Sequence, residues 1–172
     1  NGKAMIVVCS LARLSGIVRE HRARHVVSLL RDGDKVFRPE GVGANDHLWL
    51  SMDDIADDID GMVPPGEQHV TRLIEFLPRW DRKSPLVVHC FAGISRSSAA
   101  AFIAACHAEP KMDEGELARR IRAASPTASP NPRLVAVADR YLGRDGRMVR
   151  AVTEIGRGHM AYEAEPFAFS LD

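Results

Sequence analysis

Leu86-Val87-Val88-His89-Cys90 is an apolar run without polar alternation. A strand of that kind is buried on both faces, and a sheet buries both faces of its central strands only when helices cover both sides. Residues 97–107 follow at once and are so rich in alanine that they predict a helix approached closely by neighbours on several sides. Only residues 91–96 lie between. The chain must therefore turn from a central strand into a central helix through one tight loop.

The remaining sequence repeats this alternation. β-branched and apolar runs predict strands over residues 4–9, 25–30 and 47–52, and apolar residues at helical spacing predict helices over 14–24 and 67–77. Asp113 with Glu116 forms a capping box for a helix through Ala124. Asn131-Pro132 supplies cap and first-turn proline for another, which Gly143 stops after Leu142, and a last helix spans 146–155. Residues 31–46 read as a long loop. Its Gly41-Val42-Gly43 lacks the third glycine of a dinucleotide-binding fingerprint and reads as a plain turn. Tyr162, Phe167 and Phe169 in the tail are expected to lie against the domain. The expected fold is α/β: a central, mostly parallel sheet of four to five strands flanked by helices on both faces. It forms a single domain over residues 1–172, with a C-terminal helix and tail over 143–172.

Composition narrows the function classes. With 172 residues, 45% hydrophobic and 27% charged, the chain can bury a core without disulfides or structural metals. Lys plus Arg (23) balances Asp plus Glu (23), so no global field gathers nucleic acid or a membrane surface, and any anion site is local. The apolar run at residues 4–10 is too short to span a bilayer. Asn1-Gly2-Lys3 reads as a trimmed or engineered start. Three cysteines, Cys9, Cys90 and Cys106, without zinc spacing fit a reducing, cytoplasmic compartment and direct attention to single thiols. The histidines other than His89 show no ligand spacing, so no metal is expected.

Cys followed six residues later by Arg is a weak signal in a chain with three Cys and 19 Arg. Context strengthens it, because Cys90 closes a buried strand and Arg96 opens a helix. The backbone N–H groups of Phe91, Ala92, Gly93, Ile94 and Ser95 and the helix N-terminus then converge on one point, a nest for a dianion, and the Arg96 guanidinium adds a planar fork for two oxygens. Donors aimed at that point favour thiolate over thiol at Cys90. The Ser97 hydroxyl is placed to hydrogen-bond the sulfur, and His89 orients the loop through backbone hydrogen bonds. Cys106 reads as packing. Cys9 reads as buried filler, with a reversible disulfide to Cys90 as its alternative.

His-Cys-x5-Arg-Ser between strand and helix resembles the cysteine-dependent protein tyrosine phosphatase superfamily, especially its small dual-specificity, bacterial-type members. Residues 25–30 look like the family's second strand and residues 125–131 like the segment opening its late helix, so the resemblance runs from about residue 4 to residue 142. It implies the family's fold and hydrolysis of a phosphomonoester through a phosphocysteine at Cys90, with no metal or other cofactor. Arg96 and the loop amides would hold the phosphate, and Ser97 would help the sulfur leave. The family takes the leaving group's proton from an Asp on a mobile loop, just after a short strand and two places beyond an apolar residue. Asp53, Asp54, Asp57, Asp58, Asp60 and Glu67 compete for that role. Asp54, following Met52 and lying 36 residues ahead of Cys90, fits the pattern, while Asp57 and Asp58 stay open.

The variable loop positions Phe91, Ala92, Ile94 and Ser95 carry no charge, whereas relatives acting on inositol phospholipids tend to place lysines there. A phosphorylated protein is therefore the expected substrate, by tyrosine or dual specificity, with small-molecule, lipid or RNA phosphoesters as alternatives. A phosphate-binding pseudophosphatase is the alternative of a different class; its usual mark is loss of Cys, Arg or acid, and none is lost.

Overall fold

A computed structural model describes residues 3–172; Asn1 and Gly2, two residues of the expected trimmed start, lie outside the described residues. Five strands form one sheet: β1 (Met5–Cys9), β2 (His25–Leu30), β3 (His47–Ser51), β4 (Leu86–His89) and β5 (Phe167–Ser170), in the order β3-β2-β4-β1-β5. β4 is central, flanked in parallel by β1 and β2, with Val87 between Val7 and Val26. Every residue of β2 and β4 is buried, whereas β3, at one edge, alternates half-buried and buried positions.

β5 was not visible in the apolar pattern of the tail. It pairs antiparallel with β1, Phe167 opposite Val8 and Phe169 opposite Ile6. Strand alternation buries Phe167 and Phe169, as expected for both. Tyr162, expected beside them, is instead fully exposed, because it lies ahead of the strand in a stretch with no pleat to turn its ring inward.

Six helices complete the fold: α1 (Leu14–His21), α2 (Glu67–Phe76), α3 (Arg96–Ala108), α4 (Glu114–Ala124), α5 (Pro132–Leu142) and α6 (Arg147–Ile155). On one sheet face, Leu14, Ile17 and Val18 of α1 pack on Val7, Cys9, Val26 and Val87. The opposite face carries the larger core, in which Val27, Leu29 and Val88 meet α2, α3 and the later helices. Residues 96–106 of α3 are buried almost without exception of face, which alanine permits because its short side chain lets neighbouring backbones approach. The Gly41-Val42-Gly43 segment is a turn, with Gly41 at φ +87° and Val42 buried over α1's core.

Caps follow the sequence. The Asp113 carboxylate accepts from Glu116 N (3.0 Å) to start α4, and Asn131 Oδ1 accepts from Leu134 N (3.0 Å) to start α5. α6 begins differently. Its first amides, Met148 N and Val149 N, donate to Asp139 Oδ2 from α5, and Gly146 N donates to Asp139 Oδ1. A carboxylate at that helix N-terminus also meets the positive end of its dipole.

All four parallel strands end at the same edge of the sheet, and β5, running the other way, begins there. Loops leaving β1, β3 and β4 and the chain entering β5 thus converge, the arrangement in which open α/β sheets bind ligands. Among the described residues no helix is long and apolar enough to cross a membrane. No group of three or more His, Cys, Asp and Glu among them could hold a metal ion.

One buried charge pair ties the far helices together. Arg144 Nη1 donates to Glu114 Oε1 (2.9 Å) and its Nη2 to the Cys106 carbonyl (2.9 Å), while Arg147 Nε reaches the same carboxylate oxygen at 3.1 Å. Burial raises the Glu114 carboxyl, but its own amide, Arg144 and Arg147 outweigh this and hold it below the usual carboxylate range. Removing one partner strands the other in a dry site. Glu114→Ala is expected to lower unfolding free energy by about 3 kcal/mol in urea titrations, well beyond the cost of an exposed pair.

Candidate active site

The loop from Cys90 to Arg96 is held from outside by its carbonyls. Cys90 O accepts from His89 Nδ1 (3.1 Å), Phe91 O from Leu11 N (3.1 Å) and Ala92 O from Ala164 N (2.9 Å). Ile94 O takes Ser129 N (3.0 Å) and the Ser98 hydroxyl (2.5 Å); Ser95 O takes Asn131 N and Ala99 N, both at 3.1 Å. In a trans peptide the N–H points opposite to the C=O. Carbonyls committed outward therefore turn the amides inward, and Gly93 N is within 3.3 Å of the Cys90 sulfur. Gly93 sits at φ +75°, and a Cβ there would fall 2.8 Å from the backbone carbon of Cys9. Only glycine closes the loop against β1 at this distance.

Ser97 Oγ lies 3.0 Å from Cys90 Sγ, as the sequence expectation required. Arg96 opens α3 and its Nη1 donates to the Met52 carbonyl (3.0 Å) at the end of β3. Its Nε is buried with no partner among the described residues. A buried guanidinium N–H without an acceptor is costly, and an oxyanion in the nest would satisfy it. Burial, with the neighbouring Cys90 adding to it, pushes Cys9 up to about 12, and burial likewise raises Cys106 to about 12. Both stay protonated at neutral pH.

His89 is fully buried. Its Nδ1 faces a carbonyl, which only accepts, so the proton sits on Nδ1 and Nε2 accepts from the Ser28 hydroxyl (2.5 Å). The Ser28 oxygen in turn accepts from His47 Nε2 (2.7 Å). A single direction of donation thus runs from β3 across β2 to the loop.

Asp54 is the one member of the six competing carboxylates bonded to the loop among the described residues. Its Oδ1 accepts from Ser95 Oγ (2.7 Å) and from Asn131 Nδ2 (2.8 Å). Asp53 instead closes the base of its own loop, exchanging two hydrogen bonds with Val63, and Asp58 pairs with Arg133 at the surface (2.8 Å). Asp57 and Asp60 are exposed.

Two residues near the site escaped the sequence reading. Asn131 was legible as a cap, but the cap uses only its oxygen; the amide's donors were free to bind Asp54 and the Ile55 carbonyl (3.2 Å). His69 spans the base of the acidic loop, taking Gly66 N on Nδ1 (3.0 Å) and donating from Nε2 to Ser51 O (2.8 Å). Neither contact has a sequence spacing that announces it. Beyond these two, the tail's Ala164 helps hold the loop through its backbone N–H, a group no side-chain pattern marks.

Burial pushes His89 down to about 4; the Cys90 carbonyl opposes this, while His47 and Arg96 reinforce it. The unfolded ring titrates near 6.5, so between about 6.5 and 4 the unfolded chain binds the extra proton. The stabilisation from the neutral ring is complete above 6.5 and is lost as pH falls through that window. Urea unfolding of wild type and His89→Asn should converge by about 2 kcal/mol between pH 7 and pH 4.5; a pH-independent difference would show that this ring is not the titrating group.

The sequence model of the family described as protein-tyrosine phosphatase matches residues 59–129, which include the catalytic-type loop but not Asp54. No curated protein matches the chain by sequence. Among solved structures, human DUSP28 is 18% identical, with TM-score 0.60 over 80% of this chain and 87% of its own. The phosphatase domain of Yvh1 from Chaetomium thermophilum is 20% identical, with TM-score 0.59 over 86% and 95%. PTPMT1 in complex with PI(5)P is 18% identical, with TM-score 0.54 over 84% and 85%. Residues 59–129 thus match the protein-tyrosine phosphatase family, and the fold around them is shared with solved phosphatases such as DUSP28 and the Yvh1 domain.

Proposed function

We propose that the chain hydrolyses phosphomonoesters of proteins in two steps through a phosphocysteine on Cys90, without metal. The observation that carries this reading is the Cys90 sulfur with Gly93 N at 3.3 Å and Ser97 Oγ at 3.0 Å, in a loop that ends at Arg96, whose Nε is buried without a partner among the described residues. In the first step the Cys90 thiolate attacks phosphorus in line, and the bond to the leaving oxygen breaks. Charge on the equatorial oxygens is met by the amides of Phe91, Ala92, Gly93, Ile94 and Ser95 and by Arg96. Asp54 gives its proton to the leaving alkoxide or phenoxide. In the second step Asp54 takes a proton from water, whose oxygen attacks phosphorus; the sulfur departs as thiolate, stabilised by the Ser97 hydroxyl. His89 orients the Cys90 carbonyl and takes no proton.

The absence of charge at Phe91, Ala92, Ile94 and Ser95 supports a phosphorylated side chain over a polyphosphorylated headgroup. Buried thiols without disulfide partners fit a reducing compartment such as the cytoplasm.

Cys90→Ser is expected to reduce nitrophenyl phosphate turnover at least about a thousandfold while retaining vanadate or phosphopeptide binding. Near-normal turnover by that variant would remove the covalent mechanism. Asp54→Ala should slow alkyl phosphates by about a hundredfold and nitrophenyl phosphate, whose leaving group needs little protonation, much less. Equal losses on both would assign the acid to another carboxylate, Asp57 or Asp58 first.

A further inference from the structure

A cleft of about 500 Å³ opens beside the candidate active site, with Asp54 and Ser95 at its inner end. Its walls are mostly apolar: Ile94 from the loop, Pro130 and Pro132 ahead of α5, Val152 on α6, and Met160 from the tail. That volume lies in the range of about 300–1,000 Å³ typical of ligand sites.

The tail wall is built into the fold. Gly158 N donates to Ser129 Oγ (2.8 Å) and His159 N to the Pro126 carbonyl (2.8 Å). A side-chain carbon at Gly158 would overlap the Thr127 backbone, so the strand of chain sits as close as glycine allows. Arg122 Nη2 holds the Gly156 carbonyl at 2.7 Å, and Ala164 N is bonded to the loop itself. The same backbone that pins the catalytic loop thus also forms the outer wall. Met160 nevertheless leaves 98% of its surface in water, a thioether exposed at the mouth of an apolar cleft.

Resting on the phosphatase reading above, we infer that this cleft is a specificity subsite, seating an apolar side chain that flanks the phosphorylated residue of a protein substrate. Continuity fixes the occupant's position: any group in the cleft lies next to whatever the Cys90 loop holds. Charge fixes its class. Arg157 is the only Lys or Arg lining the cleft among the described residues, so a headgroup with several phosphates lacks the cations it needs. An apolar side chain of a peptide gains from the walls and needs no such partner.

The test uses peptides phosphorylated on tyrosine or threonine that differ only in their flanking residues. Nitrophenyl phosphate serves as a substrate without a flank, and phosphatidylinositol 5-phosphate in phosphatidylcholine vesicles as a lipid. Wild type is expected to prefer Leu or Phe over Asp at one flanking position by about tenfold in kcat/KM, mainly through KM. Met160→Asp, at an exposed position that folding does not use, should lower the Leu peptide about tenfold more than nitrophenyl phosphate and shift preference toward Lys. A flat preference across hydrolysed peptides overturns the subsite. So does an equal loss on peptide and nitrophenyl phosphate, or a loss confined to lipid vesicles. If nitrophenyl phosphate is not turned over at all, peptide binding to Cys90→Ser protein keeps the two ideas apart. Retained apolar preference there upholds the cleft while the hydrolytic reading falls, and no preference removes both.

Discussion

The outward anchoring of the Cys90 loop is the interaction from which the rest of the site follows. A bare turn of five residues between strand and helix would leave its carbonyls free to rotate toward any cation, and its amides would lose their common aim. Here carbonyls of the loop are claimed by five separate parts of the chain: the short turn that follows β1, the turn ahead of α5, the first turn of α3, His89, and the tail. Inward amides are the geometric complement of those bonds. An anion site made this way costs little reorganisation when ligand arrives, because the donors are already oriented.

The proposed anion site needs no net charge on the chain. Net charge contributes nothing to it; a few dipoles and one guanidinium, screened from water by α3 and the sheet, do. The bond from Arg96 Nη1 to Met52 O, just past β3, ties the start of the acidic loop to the Cys90 loop. Asp54 then meets Ser95 and Asn131 as a consequence of where β3 ends. Thiols outside this field behave as filler: Cys9, although one strand over and in register with His89, is held protonated by burial.

Much of the fold was readable in advance. β2 is predicted to the residue, α5 begins and ends where Asn131-Pro132 and Gly143 require, and α3 follows from alanine alone. Cys90, Arg96 and Ser97 were legible because strand, tight loop and helix follow one another without a gap, so local sequence contains the whole geometry. Helix ends were less legible where the stop is conformational. α1 finishes at His21 rather than Arg24, since Arg22 takes the left-handed region at φ +51° and its amide closes on Arg19 and Val18. After α2, residues 77–79 tighten into a 3₁₀ turn at Pro78.

Periodicity and adjacency along the chain were enough for the layered α/β plan, the Cys90 loop and the set of competing acids, because both are written in chain order. Folding in three dimensions settled which carboxylate meets the loop, that Asn131 and His69 hold the acidic segment, and that the tail lines a cleft and bonds Ala92 through Ala164 before it returns as β5. Those contacts join residues separated by tens of positions and use backbone groups that every residue possesses, so no side-chain pattern could signal them. Their partners are fixed by where strands end in space, a property of the assembled sheet.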